Sequence, residues 1–320
     1  MNYFDVFNGD ADGLCALHQL RLADPRKATL ITGPKRDIAL LERVAAQSGD
    51  HVTALDIALD PNRSVLLDLL QRGVSVDYFD HHTATEIPDH PLLHAVIDDT
   101  PDRCTSELVD RHVGGRFRAW AVVAAFGDNL MERAAQLALP LALSADKVRD
   151  LRDLGECLNY NAYGDYATDL LVQPAALYEA MGRHQDPFSF MRATTPLRVI
   201  REGRDRDLRL AAELRPVHVS PTAQVYVLPD EPWSRRVQGV LGNRLSAASS
   251  RLAVAVLTPN PQGGYAVSVR APRDSMRGAN AFCRQFPTGG GRPAAGGIRH
   301  LPQEALPEFI HRLDRAFATG

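Results

Sequence analysis

Apolar positions in the first 80 residues follow two alternating rhythms. Short apolar runs at residues 3–7, 28–32, 51–55 and 74–79 predict strands. Between them, three- and four-residue spacing predicts helices. The first covers 13–23 through Leu14, Leu17, Leu20 and Leu22. The second is capped by Asp37 and carries Ile38, Leu41, Val44 and Ala45, and the third covers 64–72. Strands that alternate with helices at this spacing predict a parallel sheet covered on both faces. In such a sheet, ligands bind beyond the carboxyl ends of the strands.

Further along, the spacing predicts mainly helix from 106 to about 181, with the clearest helices at 119–139 and 145–158. Residues 183–207 mix Pro187, Pro196, Gly203 and charge, the composition of a connecting region. Strands are then expected at 224–228, 252–257 and 265–270, and helices at 234–248 and 306–317. Asn260-Pro261-Gln262-Gly263-Gly264 suits a hairpin turn. The expected class is α/β with two domains: residues 1–185, a linker at 186–207, and a smaller α/β domain at 208–320.

Composition narrows the classes. Hydrophobic residues make up 45% and charged residues 23%, a globular profile. No apolar run approaches the ~18 residues of a membrane span, so no membrane partner is expected. The N-terminus lacks the basic start and apolar stretch of a signal peptide. Cys15, Cys104, Cys157 and Cys283 are far apart with no CxxC pairing, which fits a reducing, cytoplasmic compartment. A net charge of −3 argues against long duplex nucleic acid and for a small anionic substrate. Lysine occurs only at 27, 35 and 147, so single arginines carry little functional weight.

Acidic residues follow three of the predicted strands. The first leads into Asn8-Gly9-Asp10-Ala11-Asp12-Gly13, the third ends on Asp56, and the fourth on Asp80-His81-His82. In a parallel sheet these groups share one edge. Their mutual repulsion would raise their pKa values, and a divalent cation would remove that penalty. Mixed Asp and His ligands suit manganese-type ions and also zinc. Taken singly, Asp-x-Asp-Gly is a common loop or cap, and Asp56 an ordinary surface residue. Their joint position at strand ends favours a metal site.

At these residues the chain resembles the DHH phosphoesterase superfamily, over nearly its whole length. Asp10-Ala11-Asp12-Gly13 resembles the first motif of RecJ-like members, Asp56 the second, and Asp80-His81-His82 the signature that names the family. Ala124-Ala125-Phe126-Gly127-Asp128 resembles the fourth motif, and Cys104-Thr105-Ser106-Glu107-Leu108-Val109 a segment of nano-RNase-like members. Val267-Ser268-Val269-Arg270 and Gly289-Gly290-Gly291-Arg292-Pro293-Ala294-Ala295-Gly296 resemble the substrate-contacting strand and glycine loop of the associated DHHA1 domain. The layout is similar to nano-RNases and pAp phosphatases.

The resemblance implies a DHH domain and a DHHA1 domain with the active site in the cleft between them. It implies two manganese ions, one held by Asp12, Asp56, His81 and Asp128, the other by Asp10, Asp56 and a further first-motif residue. Val6 stands where many relatives have a histidine, which implies a weaker Asp10 site. Gly291, followed by Arg292, stands where relatives have the loop histidine. His82 is expected to donate to a phosphate oxygen and Asp80 to orient a histidine. Arg270, the amides of residues 289–291 and Arg292 are expected to grip the substrate, whereas Arg273 and Arg277 carry less weight. Residues 158–164 either line the cleft through their aromatics or form a packed helix end. His18, His94, His112 and His218 are read as structural or solvated.

The expected activity is manganese-dependent hydrolysis of short oligonucleotides or dinucleotides, nanoRNA and pGpG among them, by metal-activated hydroxide. Alternatives are a pAp phosphatase, a pyrophosphatase-like hydrolase, or a catalytically weakened nucleotide-binding regulator. Nothing in the sequence decides between a monomer and a homodimer.

Overall fold

The alternating apolar runs of the first 80 residues, with one strand beyond them, fold into a single parallel sheet. A computed structural model describes residues 1–193, 195–275 and 278–318. The chain divides into two compact units, Met1–Arg204 and Asp205–Gly320.

In the first unit, β1 (Tyr3–Asn8), β2 (Thr29–Gly33), β3 (His51–Leu55), β4 (Ser75–Asp80) and β5 (Leu93–Ile97) lie in the order β2-β1-β3-β4-β5, all parallel. Its helices are α1 (Ala11–Ala23), α2 (Leu59–Gln71), α3 (Thr105–His112), α4 (Arg118–Gly127), α5 (Met131–Ala138), α6 (Ala145–Ala162), α7 (Pro174–Met181), α8 (Pro187–Ala193) and the start of α9 (Thr195–Ala212). Successive strand residues feed opposite cores, as the two-residue strand period requires. Phe7 and Phe79 join Leu14, Trp120 and Leu154 on one side. Val6 and Tyr78 join Leu40, Leu66 and Val76 on the other. Burial on both faces explains why these strands read as continuous apolar runs.

Four expectations need correction. The helix expected after Asp37 is only a short 3-10 turn, Leu40–Arg43. Asn62 captures the backbone there: its Oδ1 accepts from Leu41 N at 3.2 Å and its Nδ2 donates to Ile38 O at 2.7 Å. The helix expected at 119–139 is two helices, interrupted at residues 128–130, where Asn129 adopts φ +63°. Strand β5 was not foreseen. The expected linker at 186–207 is helical. Pro187 opens α8 and Pro196 is second in α9, first-turn positions where a missing N–H costs nothing.

The second unit is a mixed sheet. Strands β6 (His218–Val219), β7 (Ala223–Val227), β8 (Ala253–Asn260), β9 (Gly264–Arg270), β10 (Gly289–Gly291) and β11 (Ala295–Pro302) lie in the order β10-β11-β9-β8-β7-β6. Only β7 and β8 pair in parallel. Helices α10 (Pro232–Ala248), α11 (Ala279–Cys283) and α12 (Leu306–Ala316) complete it. Phe282 and Phe309 anchor the core against Val267 and Val269. The Asn260 turn does join β8 to β9, with Asn260 Oδ1 accepting from Gln262 N and Gly264 N, both at 3.2 Å.

Candidate metal centre

Strands β1, β3 and β4 are neighbours, so the segments that leave their carboxyl ends meet at one edge. Asp10 caps α1, its Oδ1 accepting from Asp12 N at 3.0 Å and Gly13 N at 3.1 Å. Only glycine fits at 13, because a Cβ there would lie 2.2 Å from Asn8 O. That close turn places Asp12 in the first turn of α1, fully buried. Both its oxygens accept backbone N–H groups from the N-terminus of α3, Ser106 N and Thr105 N, each at 2.7 Å. The positive end of that helix also faces the carboxylate. Asp56 follows β3 with φ +58°, a left-handed conformation that Asp tolerates better than most residues. Its Oδ1 accepts from Thr105 Oγ1 at 3.1 Å. Asp128 comes from the break after α4, where it is the residue that follows the helix.

The two histidines divide as alternation along an extended chain suggests. His81 Nδ1 pairs with the Arg103 carbonyl at 2.8 Å, so Nδ1 carries the hydrogen and Nε2 keeps its lone pair. That Nε2 lies 3.5 Å from Asp56 Oδ1, 3.6 Å from Asp128 Oδ2 and 4.0 Å from Asp12 Oδ2. His82 Nδ1 instead pairs with Asp80 Oδ1 at 2.7 Å. The hydrogen bond to Asp80 raises the His82 pKa above its ordinary value.

A residue not singled out in the sequence completes the cluster. Lys35, beyond β2, sets its Nζ 2.5 Å from Asp10 Oδ2 and 2.9 Å from Asp128 Oδ1, with Asn159 Oδ1 at 3.5 Å. Burial pushes the Asp10 pKa up, but the charge and hydrogen bond of Lys35 outweigh it and hold Asp10 below the usual range. The same carboxylates overcome burial at Lys35 and keep it charged. Asp12 has no such partner. Burial first, and the Asp128 charge second, push it up to about 6. Burial and the neighbouring aspartates raise Asp56 well above its ordinary value.

These residues fit a divalent ion on the His81 side. Ligand bonds of about 2.0–2.2 Å put neighbouring donor atoms roughly 3–4 Å apart, the spacing found around His81 Nε2. Among the described residues, Asp12, His81 and Asp128 form one group able to hold an ion, and Asp56, His81 and His82 another. Carboxylates driven toward protonation by burial and repulsion are what a cation would relieve. A cavity of about 120 Å³ opens among Asn8, Asp10, Lys35, Asp56, His81, His82 and Asp128. Cavities of about 240 and 530 Å³ lie elsewhere, but neither gathers these carboxylates.

In the second unit, the substrate-binding candidates meet at one corner of the sheet. Arg270 pairs in register with Ala295, and Gly291 with Gly296. Arg292 and Ala295 exchange backbone hydrogen bonds across the turn. Arg270 Nε donates to Asn243 Oδ1 at 2.7 Å and its Nη1 to Ser268 Oγ at 2.8 Å. Residues 289–291 are strand rather than loop, which corrects the expectation. Gly289 answers to packing, since a Cβ there would lie 1.7 Å from Cys283 O on α11, and Gly291 to a φ of +127° and the close backbone of Ala295, whereas Gly290 has open space around it. Arg277 lies outside the described residues.

Sequence reasoning missed Lys35, Thr105 as a donor to Asp56, and Asn159. Residues 158–164 were expected either to line the cleft through their aromatics or to form a packed helix end; in this segment Asn159, in the last turn of α6, reaches Lys35, while its Nδ2 donates to Tyr163 Oη at 2.8 Å. His18 packs edge-on to Trp120 and pairs with the His184 carbonyl; burial lowers its pKa to about 4. His94 and His112 stand against Phe79, and His218 pairs with Asp314.

No family model matches the sequence, and no curated protein matches it. Solved structures do. An exonuclease RecJ bound to manganese matches with TM-score 0.62 at 18% identity, over 100% of this chain and 90% of that one. The chain has the DHH fold. RecJ from Thermus thermophilus in complex with Mn2+ matches with TM-score 0.60 at 18% identity, over 99% of this chain and 52% of that one. This chain therefore spans about half of that longer DHH-fold protein. A pGpG-specific phosphodiesterase from Vibrio cholerae matches with TM-score 0.54 at 14% identity, over 100% of this chain and 99% of that one. Among the described residues, no helix of this DHH-fold chain is long and apolar enough to cross a membrane.

Proposed function

We propose that this chain is a manganese-dependent phosphoesterase that hydrolyses short oligonucleotides or dinucleotides to mononucleotides. The observation that carries the reading is the convergence of Asp12, Asp56 and Asp128 on His81 Nε2, with burial and repulsion raising the pKa values of Asp12 and Asp56. A divalent cation held by Asp12, His81 and Asp128 would supply Lewis acidity toward water and phosphate oxygens. The chain's own residues do the rest. The Arg103 carbonyl fixes the His81 tautomer, and the α3 amides hold Asp12 in place. The hydrogen bond to Asp80 raises the His82 pKa and favours its protonated form, whose second ring nitrogen can donate to a phosphate oxygen as charge builds there. Arg270, Arg292 and the backbone of residues 289–291 form the substrate grip in this reading. The equal span shared with a pGpG-specific phosphodiesterase supports a short nucleotide substrate.

Purified protein with manganese, offered dinucleotides, pGpG, pAp and pyrophosphate, should release mononucleotides from the first two. Turnover of pAp or pyrophosphate alone would reassign the substrate. No turnover of any of them would remove the enzymatic reading.

A further inference from the structure

We propose that the Lys35 ammonium takes the place of a second metal ion, so that this centre holds one divalent cation. The inference rests on reading the Asp12–His81–Asp128 group as a metal centre, and it departs from the two-ion arrangement that the resemblance implies.

An ammonium has three N–H donors, and Lys35 Nζ has three oxygens around it: Asp10 Oδ2, Asp128 Oδ1 and Asn159 Oδ1. The ligand shell of a small cation is thus already filled by protein. The lysine is held there from behind, its backbone N–H donating to Ala162 O at 2.9 Å. Asn159 is oriented by its own bond to Tyr163, which leaves its amide oxygen toward the lysine. Asp10 is engaged at both oxygens, one capping α1 and the other on Lys35. At position 6 a buried valine joins the apolar core and offers no ligand.

Asp128 links the two cation positions. Its Oδ1 meets Lys35 at 2.9 Å while its Oδ2 stands 3.6 Å from His81 Nε2. One carboxylate therefore bridges the ammonium and the open position. Charge balance allows one divalent ion: four aspartates and one lysine carry a net charge of three minus, which a single ion reduces to one minus. Residue choice agrees as well. This chain carries its basic charge almost wholly on arginine, with lysine only at 27, 35 and 147. A planar guanidinium could not occupy a compact three-oxygen shell as an ammonium does.

The test is metal stoichiometry. Metal-free full-length protein is equilibrated with manganese, and bound ion per chain is read by mass spectrometry and electron paramagnetic resonance. Wild type should hold one ion per chain, with the spectrum of an isolated ion. Lys35→Met should admit a second, giving the spectrum of a coupled pair. Two coupled ions in wild type would overturn the inference while leaving the metal centre intact. One ion in both proteins would also overturn it, since the lysine would not be what excludes the second. No bound ion would remove the metal-centre reading and this inference with it. If Lys35→Met does not fold, Lys35→Gln, which removes the charge but keeps a polar side chain beside Asp10, is counted in the same way and read by the same outcomes.

Discussion

The carboxylate cluster has two halves that solve the same electrostatic problem differently. On one side, Asp10 meets an internal ammonium and is held below its usual pKa. On the other, Asp12 and Asp56 receive only neutral donors, two backbone amides and a hydroxyl, and both are pushed upward. Neutral donors orient a carboxylate without cancelling its charge. The first half is neutralised as folded; the second is left for a cation to neutralise in the proposed reading. The proposed metal position rests on that asymmetry rather than on the density of aspartates.

The strongest way to break the comparison is to remove one residue from each half. His81→Ala should cost about three orders of magnitude in turnover, several kcal/mol of transition-state stabilisation, and should abolish manganese binding by calorimetry. Asp10→Asn, which keeps the helix cap, should still bind manganese. Loss of binding in Asp10→Asn with retention in His81→Ala would reverse the assignment.

The next effect is on stability. In metal-free protein, Asp12 titrates near 6 folded against 3.8 unfolded. The folded state therefore holds the extra proton, so the stability it contributes is present below pH 3.8 and is lost as pH rises to about 6. A shift of about two units corresponds to about 3 kcal/mol. Denaturant melts in chelator should show stability falling across that window, and Asp12→Asn should flatten the fall. A wild-type profile that is level there, or that rises, would contradict the unneutralised state of this half.

Smaller effects sharpen the supporting contacts. Asp80→Asn should lower turnover about 10–100-fold and move the alkaline limb of the pH–rate profile to lower pH. The sign follows because Asp80 raises the His82 pKa, and the protonated form is lost as pH rises through it. An unmoved limb would release His82 from its role. Thr105→Val removes one hydrogen bond to Asp56 and should cost about 1 kcal/mol in manganese affinity. Unchanged affinity would make that contact merely structural.

How much of this was readable in the sequence depended on whether a feature was local. Strands 1, 3 and 4 announced themselves as apolar runs ending on Asp or Asp-His-His, and the two-faced burial of Val6 and Phe7 shows why. Strand β5 was hidden because Leu93–Ile97 is a sheet edge, only partly buried, with exposed His94 at its second position. The break between α4 and α5 was masked by helical spacing that continues across it, although the break is what delivers Asp128. The β10 strand had no side chains to show a period, and what fixes Gly289 is its packing against the backbone of α11, which no residue pattern records. Lys35 was the least legible. Only tertiary folding brings it to Asp10 and Asp128, and its rarity in an arginine-rich chain was the one available hint.

The most direct test of the account is anomalous diffraction at the manganese edge from crystals of the metal-loaded protein. One peak is predicted, within bonding distance of His81 Nε2, Asp12 and Asp128, with Lys35 still on Asp10. A peak at the Lys35 position, or none beside His81, would contradict it.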